Sequence, residues 1–205
     1  MTLKAIFFDL DGTLLDSILV VLDAFEKTFF EAKKVFPDRE IFKKEIGKDL
    51  TAILSPHFSP REIPKIIANY RKNYLQIESR ISLFPGVKSA LLRFSTIAPL
   101  GVVTTKLRTF SEKLLRKFEI LDFFEMVVGA EDVSRCKPHP EPLLTAAEKI
   151  GVAPKSAVYV GDSLADARAA RAAKMPFFGV LTGVASKSEL EKFGPVFKNI
   201  GEITF

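Results

Sequence analysis

Two aspartates, Asp9 and Asp11, directly follow a short apolar run near the start of the chain, in the segment KAIFFDLDGTLLDS. Two more acids, Asp162 and Asp166, follow another apolar run in the segment AVYVGDSLAD. Carboxylates that converge repel one another at neutral pH unless a cation lies between them. Carboxylate and carbonyl oxygens are the ligands that Mg²⁺ prefers. If these segments meet, the sequence therefore predicts a Mg²⁺ site between them.

Hydroxyl groups and two lysines complete the set of candidate residues. Thr104, Thr105 and Lys106 come at the end of the apolar run LGVV, and Lys137 lies in RCKPHPEP after the run EMVVG. Transfer of a phosphoryl group needs mainly in-line positioning and neutralisation of charge on its oxygens. One carboxylate can attack phosphorus while its neighbour handles the proton. The pattern indicates phosphoryl-group chemistry.

Five apolar runs supply the strands that must position these residues. They are AIFFD, LGVVT, EMVVG, AVYVGD and FFGVLTG, and amphipathic helical patterns separate the last four. Near-continuous apolar strands are typical of a parallel sheet that is buried on both faces. We therefore predict a doubly wound α/β fold, in which ligands bind beyond the carboxyl ends of the strands.

The first part of the chain after Asp11 departs from this alternation. Asp16 and Ser17 can cap a helix; its apolar face is Ile18, Leu22, Phe25 and Phe29, and a later helix carries Ile63, Ile67, Tyr70, Tyr74 and Ile77. This pattern predicts an all-helical domain at residues 16–80, inserted into an α/β domain of residues 1–15 and 81–205. Hinges are expected near Asp16 and near Leu83–Gly86.

Composition excludes several classes of protein. The 205 residues are 47% hydrophobic and 27% charged, as in an ordinary globular protein. The net charge of +5 comes from scattered lysines and arginines, which does not favour nucleic-acid binding. A single cysteine, Cys136, rules out an internal disulfide. No apolar run approaches about 18 residues, so we expect no membrane segment and a cytoplasmic protein.

The four segments together resemble the haloacid dehalogenase superfamily of phosphotransferases. DLDGTLLDS is similar to its first motif, the Thr104 segment to its second, Lys137 to its third and GDSLAD to its fourth, in the same order along the chain. The resemblance covers the α/β part, and the helical insert lies where the family has its cap domain. It implies a Rossmann-like core with a small helical cap after the first strand.

The resemblance also implies roles for individual residues. Asp9 would be the nucleophile, and Asp11 would protonate the leaving oxygen and then activate water. Thr104, Lys137 and backbone N–H groups around Asp11 and Gly12 would bind the phosphoryl group. Asp9, the Asp11 carbonyl and Asp162 would hold Mg²⁺, with Asp166 as a further metal residue acting through water or from behind the ligands.

The substrate is the least determined feature. The resemblance implies a phosphatase for small phosphorylated metabolites such as phosphoglycolate, working as a monomer or weak homodimer, but TTKLR in the second motif is closer to pyrophosphatases of the same branch. A sugar phosphomutase is a third alternative, and a non-catalytic phosphate-binding module a fourth. Thr105 and Lys106 are candidate substrate contacts, and Gly47 can mark a turn that brings Lys48 towards the site.

Overall fold

The computed structural model describes residues 3–205, so the first two residues of the predicted 1–15 segment lie outside the described residues. Between residues 3 and 205 the chain forms the strands β1 Ala5–Phe8, β2 Leu15–Asp16, β3 Ser82–Leu83, β4 Leu100–Val103, β5 Phe124–Val128, β6 Ala157–Gly161, β7 Phe177–Val180 and β8 Val196–Phe197. The helices are α1 Ile18–Glu31, α2 Arg39–Lys43, α3 Leu50–Leu54, α4 Ile63–Ile77, α5 Val87–Ser95, α6 Arg108–Lys117, α7 Glu141–Ile150, α8 Leu164–Ala172 and α9 Lys187–Leu190.

Six strands form one parallel sheet in the order β5-β4-β1-β6-β7-β8. All five predicted strands belong to it, which confirms the predicted fold class. The sixth strand, β8, is only the pair Val196–Phe197 and is too short for a pattern to reveal. Because β1 lies between β4 and β6, the residues that follow these three strands emerge side by side.

Each face of the sheet carries its own apolar core. Ile6 and Phe8 of β1 point into one core and Ala5 and Phe7 into the other, as alternation along a strand requires. Helix α5 packs on the first face through an apolar stripe that is fully buried: Val87, Ala90, Leu91 and Phe94. Helices α7 and α8 cover the second face through mostly small side chains. Helices on both faces define the doubly wound arrangement.

Helices α1 to α4 form the helical segment that lies between β2 and β3 in the chain. The long helices α1 and α4 pack against each other, with Phe25 and Tyr70 stacked at 4.1 Å between ring centroids. The predicted helices are confirmed, but Ile67 and Ile77 are only half-buried. Asn73 is buried instead, because its amide donates to the Thr28 hydroxyl at 3.1 Å.

The chain enters and leaves the helical segment through a two-stranded antiparallel ribbon. Leu15 pairs with Leu83 and Asp16 with Ser82. These positions coincide with the two expected hinges, and strands of two residues carry no detectable sequence pattern. The ribbon therefore ties both crossings together, so a movement of the helical segment would act on both at once.

The expected capping of α1 was wrong in detail. Ser17 occupies the N-cap position of α1, but neither it nor Asp16 caps the helix with its side chain; Asp16 is exposed in β2. The Ser17 hydroxyl donates to the Asp11 carboxylate, a charged acceptor that competes successfully with backbone N–H groups.

Candidate active site

The predicted residues converge at the carboxyl ends of β1, β4 and β6. Asp9 follows β1, Thr104 follows β4 and Asp162 follows β6, and all three side chains are buried. The strand register explains their proximity, since Phe8 pairs with Val102 on one side and with Val160 on the other. Three residues far apart in the chain are thereby placed in one row across the sheet edge.

Asp9 also belongs to a buried ionic cluster. We call it the Asp9 cluster, and it consists of Asp9, Lys137, Tyr159 and Asp166. The Lys137 ammonium lies 2.9 Å from Asp9 Oδ1 and 2.6 Å from Asp166 Oδ1. It also donates to the Tyr159 hydroxyl at 2.8 Å, and that hydroxyl lies 2.8 Å from the Val103 carbonyl. The ammonium is therefore held in place from several sides.

Tyr159 was not among the predicted site residues. It lies inside the apolar strand β6, in a position that reads as core, and its ring is indeed fully buried. Its hydroxyl nevertheless contacts both Lys137 and Asp166. The only sequence signal was a tyrosine within a buried strand, since a buried phenol hydroxyl must find a polar partner.

Asp166 lies in the first turn of α8. Its Oδ2 accepts from the Ser163 N–H at 3.0 Å and from the Ser163 hydroxyl at 2.6 Å. The Asp166 N–H donates in turn to the Ser163 hydroxyl at 3.2 Å, so Ser163 caps this helix. Its Oδ1 accepts from Lys137 and Tyr159. Both oxygens are thus engaged, and the carboxylate anchors the lysine. The neighbouring Gly161 allows this packing, because a Cβ there would lie 2.6 Å from the Asp166 side chain.

Asp162 is positioned by two loops. Its Oδ1 accepts from the Thr13 hydroxyl at 2.9 Å and its Oδ2 from the Val184 N–H at 3.0 Å. A Cβ on Gly183 would lie 1.7 Å from Asp162 Oδ2, and one on Gly12 would lie 2.6 Å from it. Gly12 also has a φ of +80°, which favours glycine. Both glycines are therefore required by the close approach of backbone to this carboxylate.

Asp9, Asp162 and Asp166 can each offer a carboxylate oxygen within 4.8 Å of the others. Three buried acids face one buried lysine, so the group carries an excess of negative charge. A hard divalent cation such as Mg²⁺ suits these oxygen donors and would balance the charge. The predicted metal residues Asp9, Asp162 and Asp166 are thus brought together. The predicted ligand from Asp11 is its backbone carbonyl, and the side chain of Asp11 faces Ser17 and Lys106.

Burial dominates the electrostatics of the acids. It raises the pKa of Asp9 from 3.8 to about 7, with Lys137 opposing this rise and the charge of Asp166 adding to it. Burial and the charges of Asp166 and Asp9 raise the pKa of Asp162 well above its ordinary value. For Lys137, burial alone would lower the pKa, but the two carboxylates raise it above its usual range. Lys137 therefore stays charged. Its single positive charge is not enough to balance three ionised acids.

A second group, the Asp11 cluster, lies at the edge of the site: Asp11, Ser17, Tyr74 and Lys106. Asp11 Oδ1 accepts from the Ser17 hydroxyl at 2.6 Å, and Oδ2 lies 3.1 Å from the Lys106 ammonium. Lys106 also donates to the Tyr74 hydroxyl at 3.2 Å. Burial would lower the pKa of Lys106, but Asp11 and the tyrosines raise it. Neither Ser17 nor Tyr74 was a predicted site residue.

A cavity of about 800 Å³ opens above both clusters. The strand ends form its floor, with Asp9, Asp11, Thr104, Thr105, Lys106 and Asp162, and the helical segment contributes Phe25, Gly47, Lys48, Tyr70, Arg71 and Tyr74.

Gly47 has a φ of +104°, and a Cβ there would lie 2.8 Å from the Ser163 hydroxyl. The predicted turn therefore exists, but the Lys48 ammonium pairs with Glu45. The Gly12 N–H is likewise engaged, by the Leu15 carbonyl.

The chain belongs to the haloacid dehalogenase-like hydrolases, because the model of that family matches residues 6–180. Its relatives and its fold are those of a phosphatase within that family. Phosphoglycolate phosphatase of Thiobacillus denitrificans is 33% identical over 89% of this chain and 85% of its own length. The pyrophosphatase PpaX of Oceanobacillus iheyensis is 31% identical over 95% and 91%. A haloacid dehalogenase-like family hydrolase from Streptococcus pneumoniae superimposes with a TM-score of 0.86 at 27% identity, covering 97% of this chain and 95% of that one.

These findings confirm the family that the four motifs indicated.

None of the helices between residues 3 and 205 combines the length and apolarity needed to cross a membrane. The individual roles of the site residues stay predictions, as does the nature of the substrate.

Proposed function

We propose that this protein is a Mg²⁺-dependent phosphatase that hydrolyses small phosphate monoesters through an aspartyl-phosphate on Asp9. The observation that carries the proposal is the pairing of Asp9 Oδ1 with the buried Lys137 ammonium at 2.9 Å, where Asp9 and Asp11 both line the cavity. A carboxylate beside a fixed cation can meet a phosphoryl group with less charge repulsion.

The reaction takes place in two steps. Asp9 attacks phosphorus, the bond between phosphorus and the leaving oxygen breaks, and Asp11 gives that oxygen its proton. Water then attacks the aspartyl-phosphate, Asp11 takes up the proton from the water, and the bond between phosphorus and the Asp9 oxygen breaks. Asp9 returns as a carboxylate and Asp11 as an acid, so the site is ready for the next substrate.

Thr104, Thr105 and Lys106 line the floor of the cavity and would hold the phosphoryl oxygens. The Lys137 ammonium is fully buried beside Asp9 and does not line the cavity, and Asp166 and Tyr159 keep it in one place. The Gly12 N–H would contribute only if a phosphoryl oxygen displaced the Leu15 carbonyl. Thr104 would therefore orient the phosphoryl group, and Lys137 would offset charge from beside Asp9.

Mg²⁺ would be held by Asp9, the Asp11 carbonyl and Asp162, and it would neutralise charge on the phosphoryl oxygens. Asp166 would support the site from behind these ligands by holding the Lys137 ammonium at 2.6 Å. The raised pKa values of Asp9 and Asp162 support this assignment, because a bound cation would stabilise their ionised forms.

Residues 16–80 act as a cap that opens and closes on the ribbon of β2 and β3. The cavity lies between this segment and the strand ends, so closure would exclude water and bring cap side chains to the leaving group. Small phosphorylated metabolites suit such an enclosed site better than polymers. Phosphoglycolate is the first candidate, because several relatives carry that activity in their names.

Hydrolysis of pyrophosphate is the second candidate. It is favoured by the similarity to PpaX over 95% of this chain, and by the Thr-Thr-Lys sequence of residues 104–106. The leaving phosphate would need positive charge from the cap or from the β4–α6 loop. Lys48, Arg71 and Lys106 line the cavity and are the residues that could supply it.

Phosphate release tests both candidates. The kcat/KM values for phosphoglycolate, pyrophosphate and several sugar phosphates are compared with Mg²⁺ and with a chelator, and Asp9→Asn serves as the inactive control. Metal-dependent release with a preference of about a hundredfold for phosphoglycolate would establish the proposal. A preference for pyrophosphate would select the second candidate. No release from any substrate, or equal release by Asp9→Asn, would overturn it.

A further inference from the structure

The loop that connects β7 to α9 contacts two segments of the active site that are remote from each other in the chain. We call it the β7–α9 loop, and it consists of residues 181–186. The Thr182 hydroxyl donates to the Gly12 carbonyl at 2.6 Å, and the Val184 N–H donates to Asp162 Oδ2 at 3.0 Å. The β7–α9 loop therefore bonds both to the segment after β1 and to the segment after β6.

Through Thr182 the loop helps to fix the backbone at Gly12. The Gly12 carbonyl accepts from Thr182, and the Gly12 N–H donates to the Leu15 carbonyl at 2.9 Å. That N–H shares one planar trans peptide unit with the Asp11 carbonyl, so the two groups point in opposite directions. Both peptide units of Gly12 are therefore held, and one of them carries the carbonyl that is predicted to bind the metal.

The same loop fixes Asp162 at its side chain and at its backbone. Besides the bond from Val184 to the carboxylate, the Ala185 N–H donates to the Asp162 backbone carbonyl at 3.0 Å. Gly183 lies so close that a Cβ there would overlap the carboxylate. A shift of this loop would therefore move Asp162 relative to the segment after β1.

We infer that Thr182 is a positioning residue that sets the separation between the Asp11 carbonyl and the Asp162 carboxylate, and thereby the affinity of the site for Mg²⁺. The inference rests on the proposed function, which assigns both groups to the metal. It goes further by giving a loop without a metal ligand control over the affinity. Mg²⁺ demands near-ideal octahedral geometry, so a small change in the separation of two ligands weakens its binding.

A purely structural role for Thr182 has different consequences. Loss of a bond that only stabilises the loop would lower the melting temperature equally with and without Mg²⁺, and would leave the Kd for Mg²⁺ unchanged. Loss of a positioning bond raises that Kd. Thr182 is half-buried and is not among the described residues that line the cavity, so its substitution removes no group from the cavity wall.

The test uses Thr182→Val, which keeps the shape of the side chain and removes the hydroxyl. Titration calorimetry of metal-free protein with Mg²⁺ should show a Kd raised about tenfold, as is typical when a group that orients metal ligands is lost. Thr182→Ser keeps the hydroxyl and should bind within about twofold of the unmodified protein. Thr109→Val is the matched control, because Thr109 is exposed on α6 and its Kd should not change.

Two results would overturn the inference: an unchanged Kd in Thr182→Val, or a Kd in Thr182→Ser that is raised as much as in Thr182→Val. Thr182→Ala repeats the test if the valine variant does not fold. Unmodified protein that binds no Mg²⁺ would contradict the metal assignment of the proposed function, and the inference with it. Normal binding by the unmodified protein together with an unchanged Thr182→Val would overturn the inference alone.

A second measurement uses the Mg²⁺ dependence of phosphate release. In Thr182→Val the Mg²⁺ concentration for half-maximal turnover should rise about tenfold, while kcat at saturating Mg²⁺ should stay within about twofold of the unmodified value. Excess metal can restore a site with weakened affinity, because it refills the site by mass action. A fall in kcat that saturating Mg²⁺ does not restore would show that Thr182 does not act through metal affinity, and would overturn the inference.

Discussion

The Asp9 cluster and the Asp11 cluster lie side by side and each pairs a lysine with an aspartate, yet they differ in burial and in origin. In the Asp9 cluster the exposed fractions of Lys137, Asp9 and Asp166 are 0%, 6% and 0%, and every member belongs to the α/β part. In the Asp11 cluster Lys106 and Asp11 are 13% and 16% exposed, and Ser17 and Tyr74 come from the helical segment or its start.

This difference fits two separate requirements of the two-step mechanism that we propose. A nucleophile must stay in one place in both steps, and a cluster that is rigid and buried provides this. An acid that later acts as a base must meet two different partners, a leaving group and a water molecule. Contacts that depend on the cap allow Asp11 to be aligned when the site closes and released when it opens.

The largest effect is expected for Asp9→Asn, which keeps the shape of the side chain and removes the proposed nucleophile. Turnover should fall by at least about a thousandfold, as measured by phosphate release. The same variant should have a melting temperature equal to or above that of the unmodified protein without metal, because it removes one of three crowded buried acids. Near-normal turnover would contradict the covalent mechanism, and a large loss of stability would contradict the description of the Asp9 cluster.

The two lysines provide the next comparison. Lys137→Met leaves Asp9 and Asp166 buried without their cation and should lower the free energy of unfolding by about 3–5 kcal/mol. Lys106→Met removes a partly exposed pair and should lower it by about 1 kcal/mol or less. Urea unfolding without metal measures both values. Equal losses would mean that the two clusters do not differ in rigidity as proposed.

The pH dependence of stability should reveal the Asp9 cluster. The pKa of Asp9 is raised in the folded state, from 3.8 to about 7, mainly by burial. Its contribution to stability is therefore fully present below about pH 4 and is lost as the pH rises through 7. Between pH 5 and pH 8 this loss should lower the metal-free Tm by about 5 °C.

Two comparisons isolate this contribution. Asp9→Asn should flatten the fall in Tm between pH 5 and pH 8, since it has no carboxyl group to ionise. Mg²⁺ should raise the Tm of the unmodified protein more at pH 8 than at pH 5, because the ion competes with protons for the carboxylates. A Mg²⁺ effect that is equal at both pH values would contradict the metal assignment.

The smallest effects are expected for two serines that occupy equivalent positions before helices. Ser163 caps α8 with its hydroxyl, so Ser163→Ala should lower the free energy of unfolding by about 1 kcal/mol. Ser17 makes no capping bond, but its buried hydroxyl donates to the Asp11 carboxylate, so Ser17→Ala should cost a similar amount of stability and should also lower turnover of alkyl phosphates. Thermal unfolding and kinetics on both variants measure this contrast. Turnover of Ser17→Ala equal to that of the unmodified protein would contradict it.

Much of the site could be predicted because its residues follow recognisable strands. Asp9, Thr104 and Asp162 each end an apolar run, and parallel strands bring their carboxyl ends to one edge. The paired partners were harder to find. Tyr159 reads as a core residue within its strand, and Ser17 reads as a helix cap. The folded structure shows that the Tyr159 hydroxyl contacts Asp166 and Lys137. It also shows that the Ser17 hydroxyl contacts Asp11.

The strand pattern, the order of the four motifs and the groups that can do phosphoryl chemistry can be read from the sequence alone, because these depend on local periodicity and on residues close to strand ends. Which acid pairs with which lysine depends on the folded arrangement. Ion pairs such as Lys137 with Asp166 and Lys106 with Asp11 join residues that are remote in the chain. Their formation depends on strand order and helix packing, since a charge selects among partners only once folding has removed it from water.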